Sequence, residues 1–282
     1  MSDLLKPFDY GFFRHGLAVS VLAGAVCGLI GVYVVLRSMS YIGHGLSHAV
    51  FGGAAAAAVM DVNYFLGAGL WGIASGLAIG RVARRRILGA DAAIGVVTTA
   101  SFALGIVLFN RFGQAHKSVD AVLFGDILGV SLADVGAVAL VGAGVLAVVW
   151  FGYRRLLFAT FDPDVADVSG VRVARVEALL MVMMALTVLV TMRVIGVLLI
   201  SALLVVPAAT ARMLTNSFAR MLWMSPLIGA ISSLIGMNLS YHLDTSSGAT
   251  IILVNAVAFG AVFTTSGVRG RRRMAGLAHA HA

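Results

Sequence analysis

Long apolar runs separated by short polar or basic breaks dominate this chain, and their length rather than an amphipathic period defines its elements. Runs at 16–36, 42–60, 64–80, 92–109, 132–151, 176–192, 222–241 and 249–266 each suit a membrane-crossing helix. A shorter run, 197–206, stops at Pro207; at about 1.5 Å per residue it cannot cross a hydrocarbon core of about 30 Å alone. Joined to its flanks, it reads as a broken or tilted helix descending to Arg212. Ahead of the first run, residues 1–15 carry Phe8, Tyr10, Phe12 and Phe13 beside Lys6 and Arg14, the composition of an interfacial segment. The pattern predicts an all-α, polytopic helical membrane protein with eight or nine spans, one transmembrane domain over 16–268 and a basic tail at 269–282.

Composition agrees. Hydrophobic residues make up 60% of the 282 and charged residues 11%, against about 25% charged in soluble domains. The 33 glycines suit membrane helices, whose interfaces favour small residues. A net charge of +8 would suit nucleic acid if it formed a patch, but the basic residues sit at the ends of the spans and act as topology signals, so no nucleic-acid partner is expected. With the C-terminus inside and the N-terminus outside, all of the 20 basic residues except Lys6, Arg14, Arg111, Lys117 and Arg193 fall on the cytoplasmic side. Cys27, the only cysteine, excludes an internal disulfide and reads as core packing. The first run spans without a small-x-small cleavage site and is not a signal peptide.

Candidate chemistry gathers in Tyr41 to Gly53, YIGHGLSHAVFGG. His44 and His48 are four residues apart, so a helix sets both imidazoles on one face, with Ser47 beside them. Ionisable side chains within a span are costly and mark ion or proton routes; the competing reading is a pair of hydrogen-bonded core histidines. His242 and Asp244 lie at the outer end of the 222–241 run and could receive a cation there, although Asp244 ahead of Thr-Ser-Ser-Gly better suits an N-cap for the last span. Asp162, Asp164 and Asp167 read as a solvated face or as caps, and Asp120 and Asp126 as weaker candidates. No G-x-x-x-x-G-K-[ST] loop, H-E-x-x-H or G-x-S-x-G is present, which excludes ATP hydrolysis by a phosphate loop and the common intramembrane hydrolases and leaves transport.

Four ordered blocks make the reading specific. Leu36 to Val50, LRSMSYIGHGLSHAV, resembles the L-R-x-M-S-x-x-G-D-A-L-S-H-A-V signature of the zinc/manganese/iron ABC transporter permeases, and Arg193 to Arg212, RVIGVLLISALLVVPAATAR, is similar to that family's V-G-x-L-L-x-x-A-L-L-x-x-P-A-A-T-A block. Phe161 to Ala166 with Gly170, and Leu243 to Thr250, match two further family stretches. The resemblance covers most of the chain. It implies a multi-pass protein of a prokaryotic plasma membrane, paired as a homodimer and working with two cytoplasmic ABC ATPase subunits and an extracytoplasmic metal-binding protein. No permanently bound cofactor is implied; the metal is cargo. His44 and His48 fall on the family's metal path, with His44 in place of the family's Asp. That exchange replaces a hard oxygen by a borderline nitrogen donor and moves the preference toward zinc, with manganese next. Pro207, Ala208, Ala209, Thr210, Ala211 and Arg212 fall on the cytoplasmic segment, near 207–218, that couples to the ATPase.

Two other readings compete. A secondary, proton-coupled metal carrier would use the same histidines without an ATPase, but inverted repeats typical of such carriers are not found. A siderophore or cobalamin ABC permease would share the coupling segment but would have no need of a histidine pair.

Overall fold

The computed structural model describes residues 3–60, 62–84, 90–112, 129–196 and 200–280. After a short 3-10 turn at Asp3–Asp9 come ten α-helices among the described residues: α1 Gly11–Leu36, α2 Ile42–Val59, α3 Tyr64–Arg84, α4 Ala90–Phe112, α5 Leu132–Phe161, α6 Pro163–Val168, α7 Val173–Ile195, α8 Ile200–Leu214, α9 Phe218–Leu243 and α10 Ser247–Ala280. No strand occurs among them, and six of the helices are long and apolar enough to cross a membrane, with shorter apolar stretches at Ala92–Leu108 and Ile200–Leu214. Arg85, Arg86, Lys117, Asp120, Asp126 and His281 lie outside the described residues.

α1 is the axis of the bundle, packing on α5, α7, α8 and α9. Most of its side chains are buried, among them Val19, Ile30, Val32 and Tyr33. Lipid tails offer helices no hydrophobic reason to associate, so close packing has to come from small residues. At the α1–α9 crossing, a side chain on either Gly24 or Gly229 would run into the other's backbone carbonyl. One turn along, the buried Ser225 hydroxyl donates to the Gly28 carbonyl at 2.6 Å. Gly31 meets the backbone of Leu204 in α8 in the same way.

The contacts also order the two ends. Phe218, at the start of α9, packs its ring on Tyr33 of α1 and on Tyr153 and Phe161 of α5. Tyr241, near the end of α9, packs instead on Tyr10 and Phe13. The end of α1, the end of α5 and the turn between α8 and α9 therefore share one end of the bundle. There Arg37, nearly buried with 9% side-chain exposure, donates to the Ala159 carbonyl at 2.8 Å and meets Glu177 at 3.3 Å, tying α1, α5 and α7 together. Asp164, Asp167, Arg37 and Glu177 line a groove of about 680 Å³ at this end.

Several boundaries differ from the hydropathy pattern. α1 begins at Gly11 rather than 16, so only residues up to Tyr10 lie ahead of it. α5 runs ten residues past 151, through Arg154 and Arg155, to Phe161: the charges end the apolar stretch but not the helix, and at 1.5 Å per residue its 30 residues exceed a bilayer core. A reciprocal capping box starts it, with Ser131 N donating to Asp134 Oδ2 at 2.9 Å and Asp134 N donating back to Ser131 Oγ at 3.3 Å. Pro207 lies inside α8, whose described residues start at Ile200, and does not stop it; ahead of them Gly196 closes α7 at φ 89°, a region that favours glycine. Membrane helices tolerate such a proline where neighbours enclose the freed backbone, and Pro207 is buried. Asp244 is the C-cap of α9 in the left-handed region (φ 51°), not the N-cap of α10. Asp162 does cap a helix, accepting from Val165 N at 3.0 Å at the start of α6. Cys27 is buried, as packing requires.

Gly229→Ala is expected to destabilise the bundle by about 1–3 kcal/mol through overpacking, whereas Gly260→Ala, whose methyl group meets open space, should leave the thermal unfolding midpoint in detergent unchanged. In the same assay Arg37→Ala is expected to cost about 1.5–3 kcal/mol, the worth of hydrogen bonds to a charged group.

Candidate metal site

The α1–α2 turn is built by the backbone. Ser38 takes φ 55°, Met39 N donates to Val34 O at 2.9 Å and Ile42 N to Met39 O at 2.9 Å. Once α2 starts, Ile42, Leu46, Ala49 and Val50 recur at helical spacing and are fully buried, which leaves His44 and His48 on the side toward α4. Gly45 lets α2 close on Ile94 and Thr98, and Gly52 lets it close on the Ser101 carbonyl.

His44 is exposed and His48 half-buried. Their Nε2 atoms are 3.1 Å apart and their rings meet edge to face with centroids 4.4 Å apart. His48 in turn rests on Phe102 at 4.7 Å. The pair opens into a cleft of about 330 Å³ whose other walls include Tyr41, Ile94, Thr98, Thr99 and Phe102. A hydrogen bond between the two nitrogens requires one protonated Nε2 and one bare Nε2. One cation held by both needs both lone pairs, and at a metal–nitrogen distance of about 2.0–2.1 Å with tetrahedral angles the two nitrogens would be about 3.3 Å apart. The observed separation is therefore close to a chelating bite. His48 Nδ1 is buried without a partner, so that nitrogen is where His48 would hold its proton while Nε2 ligates.

Ser47 does not join them, because its hydroxyl donates to the His44 carbonyl at 2.9 Å. Thr99 is spent on Gly95 O at 2.8 Å. Thr98 lines the cleft with a buried hydroxyl that has no partner. Neither it nor Tyr41 stands out in the sequence, because a threonine or a tyrosine in or beside an apolar span is an ambiguous signal. Among the described residues no group of three or more His, Cys, Asp or Glu gathers, so within them the pair supplies two donors.

The other candidate residues lie elsewhere. His242 and Asp244 are exposed at the Tyr10 end of α9, His242 against Tyr241 with ring centroids 5.5 Å apart, and neither borders the histidine cleft. In α8, Pro207, Ala208, Thr210 and Ala211 are buried and Ala209 is half-buried; Thr210 Oγ1 donates back to Val206 O at 2.8 Å. Arg212 is exposed and donates to Asn216 Oδ1 at 3.0 Å, so the accessible part of this segment runs from Arg212 into the turn at 215–217. That turn lies at the Arg37 end. At its other end α8 reaches α2, where Gly43, next to His44, packs on Leu204 and Ser201.

Comparison with known proteins gives a consistent picture. The chain is 37% identical over 274 residues to a manganese transport system membrane protein of Halalkalibacterium halodurans, covering 96% of this chain and 94% of that one. It is 36% identical over 259 residues to the manganese import system permease ScaB of Streptococcus parasanguinis, 91% of each chain. Its fold matches a chain of the solved structure of PsaBC from Streptococcus pneumoniae in complex with Fab, with a TM-score of 0.83 and 32% identity over 93% of this chain and 95% of that one. The model of the ABC 3 transport family matches residues 9–266, and the chain belongs to that family.

Proposed function

We propose that this chain is the transmembrane permease subunit of an ATP-binding cassette importer for a divalent transition metal. The chelating geometry of His44 and His48 in a lined cleft, in a chain of this family, is the observation that carries the reading. The chain is a transport subunit and not an enzyme. In this account it lies in a prokaryotic plasma membrane with its N-terminus outside and its C-terminus inside, so that the Arg37 end faces the cytoplasm. An extracytoplasmic binding protein delivers the ion at the Tyr10 end, where His242 and Asp244 are the first donors it meets. Two ATPase subunits dock at the opposite end on Arg212 and the turn that follows, with the buried Pro207–Ala211 stretch transmitting their movement. A second copy of the chain completes the translocation path. A two-donor pair that stops short of four-coordination supports that pairing.

The cargo follows from donor chemistry. The relatives above are named for manganese, and manganese is a cargo this chain would also meet. Two imidazoles without a carboxylate nevertheless suit a borderline ion better than a hard one, which places zinc ahead of manganese.

The test is uptake into proteoliposomes holding the chain with its ATPase and binding protein. Zinc uptake should depend on ATP and fall at least about ten-fold in His44→Ala and His48→Ala, the scale on which metal sites respond to lost ligand support. Uptake indifferent to both changes would remove the pair from the path. His44→Asp is expected to shift the zinc-to-manganese uptake ratio toward manganese; an unchanged ratio would place selectivity elsewhere. Arg212→Glu should weaken ATPase stimulation by the permease while leaving zinc binding to the purified chain intact. The chain alone, under a pH gradient and without ATPase, should move no metal; movement there would favour a proton-coupled carrier.

A further inference from the structure

α5 and α9 both lean on α1 and meet each other at the Phe218 ring, and the furrow between them is a cavity of about 320 Å³ floored by Leu29 and walled by Leu146, Trp150, Tyr153, Leu222 and Trp223. It is almost wholly apolar, and Trp150 and Trp223 stand exposed at its rim. Its charged neighbours are placed by helix geometry. Leu146, Trp150 and Arg154 recur at i, i+4 and i+8, and Arg220 lies three residues before Trp223, so each arginine shares a stripe with a groove residue. α5 and α9 run antiparallel there, with the Tyr153 and Phe218 rings 5.6 Å apart, which brings Arg154 and Arg220 to the same level at the Arg37 end of the furrow. Both arginines are exposed, and neither has an ion pair or side-chain hydrogen bond among the described residues.

An apolar furrow capped by aromatic rings and two unpaired guanidinium groups matches the chemistry of one amphiphile. We infer that this furrow binds an anionic phospholipid, one acyl chain lying between Trp150 and Trp223 and the phosphate meeting Arg154 and Arg220. Arginine is suited to this because its planar fork matches phosphate oxygens. Basic pockets between spanning helices recognise such headgroups on the cytoplasmic side. The inference is independent of the metal and of the histidine cleft.

Native mass spectrometry of the full chain in detergent, titrated with phosphatidylglycerol and with phosphatidylcholine of the same acyl chains, tests it. The chain should retain phosphatidylglycerol preferentially. Arg154→Gln with Arg220→Gln should weaken that binding roughly thirty-fold, at about one kcal/mol per basic residue near an anionic headgroup, and weaken that of phosphatidylcholine, whose choline offsets its phosphate charge, much less. The paired Arg→Lys variant should keep most of the preference. Equal binding of the two lipids, or a Gln variant that still prefers phosphatidylglycerol, overturns the inference. So does competition by glycerol 3-phosphate, which would mark a bare anion site. Disulfide cross-linking between protomers through Trp150→Cys or Trp223→Cys in a bilayer would overturn it too, by assigning the face to a second copy.

Discussion

Everything in this bundle depends on backbones coming close enough to touch where lipid gives helices no hydrophobic reason to meet. α1 achieves this with Gly24, Gly28 and Gly31 along its length, against Gly229 and Ser225 of α9 and Leu204 of α8. Each contact trades a side chain for dispersion between main chains, which is the attraction still available in hydrocarbon. Arg37 supplies the polar counterpart at the end of the same helix, where its guanidinium bridges a carbonyl of α5 and a carboxylate of α7. The bundle is thus fixed by contact along its axis and by charge at its rim.

The histidine cleft inherits its shape from this arrangement. α2 is pressed onto its neighbours by Ile42, Leu46 and Val50, so the opposite side is left facing α4, and Gly45 and Gly52 set how near α4 comes. The imidazoles are then held against each other and against Phe102. In the proposed site, two neutral rings would bring no negative charge to a cation, so the attraction would come from lone pairs at short range. That makes the nitrogen separation of 3.1 Å the quantity that matters most.

Much of this was legible beforehand, because hydropathy reports length and i, i+4 spacing reports facing. The all-helical class, the position of α2 and the pairing of His44 with His48 follow from those two rules. What escaped has a physical cause in each case. Hydropathy sees where apolar side chains stop, not where the hydrogen-bond ladder stops, so Arg154 and Arg155 were read as the end of a helix that continues to Phe161. The signal that fixes the other end of α5, Ser131 three residues before Asp134, is present in the sequence as a capping box and was overlooked. Pro207 was read by its effect in soluble helices, although an enclosing bundle removes the penalty. Asp244 was assigned to the following helix because capping residues precede helices more often than they end them, while its left-handed backbone closes the preceding one. Thr98 could be found only once α2 and α4 were set side by side.

α8 has one more property worth following. Its 15 residues form a rod of about 22 Å, enclosed by α1, α9 and α10 and bordered by α2. Arg212 projects from one end, and Leu204 and Ser201 rest on Gly43 beside His44 toward the other. A helix packed on these neighbours has little room to move independently of them. In the proposed importer, a push at Arg212 would be felt at the glycine next to the first imidazole, where a small slip would open or close the grip of two nitrogens on an ion.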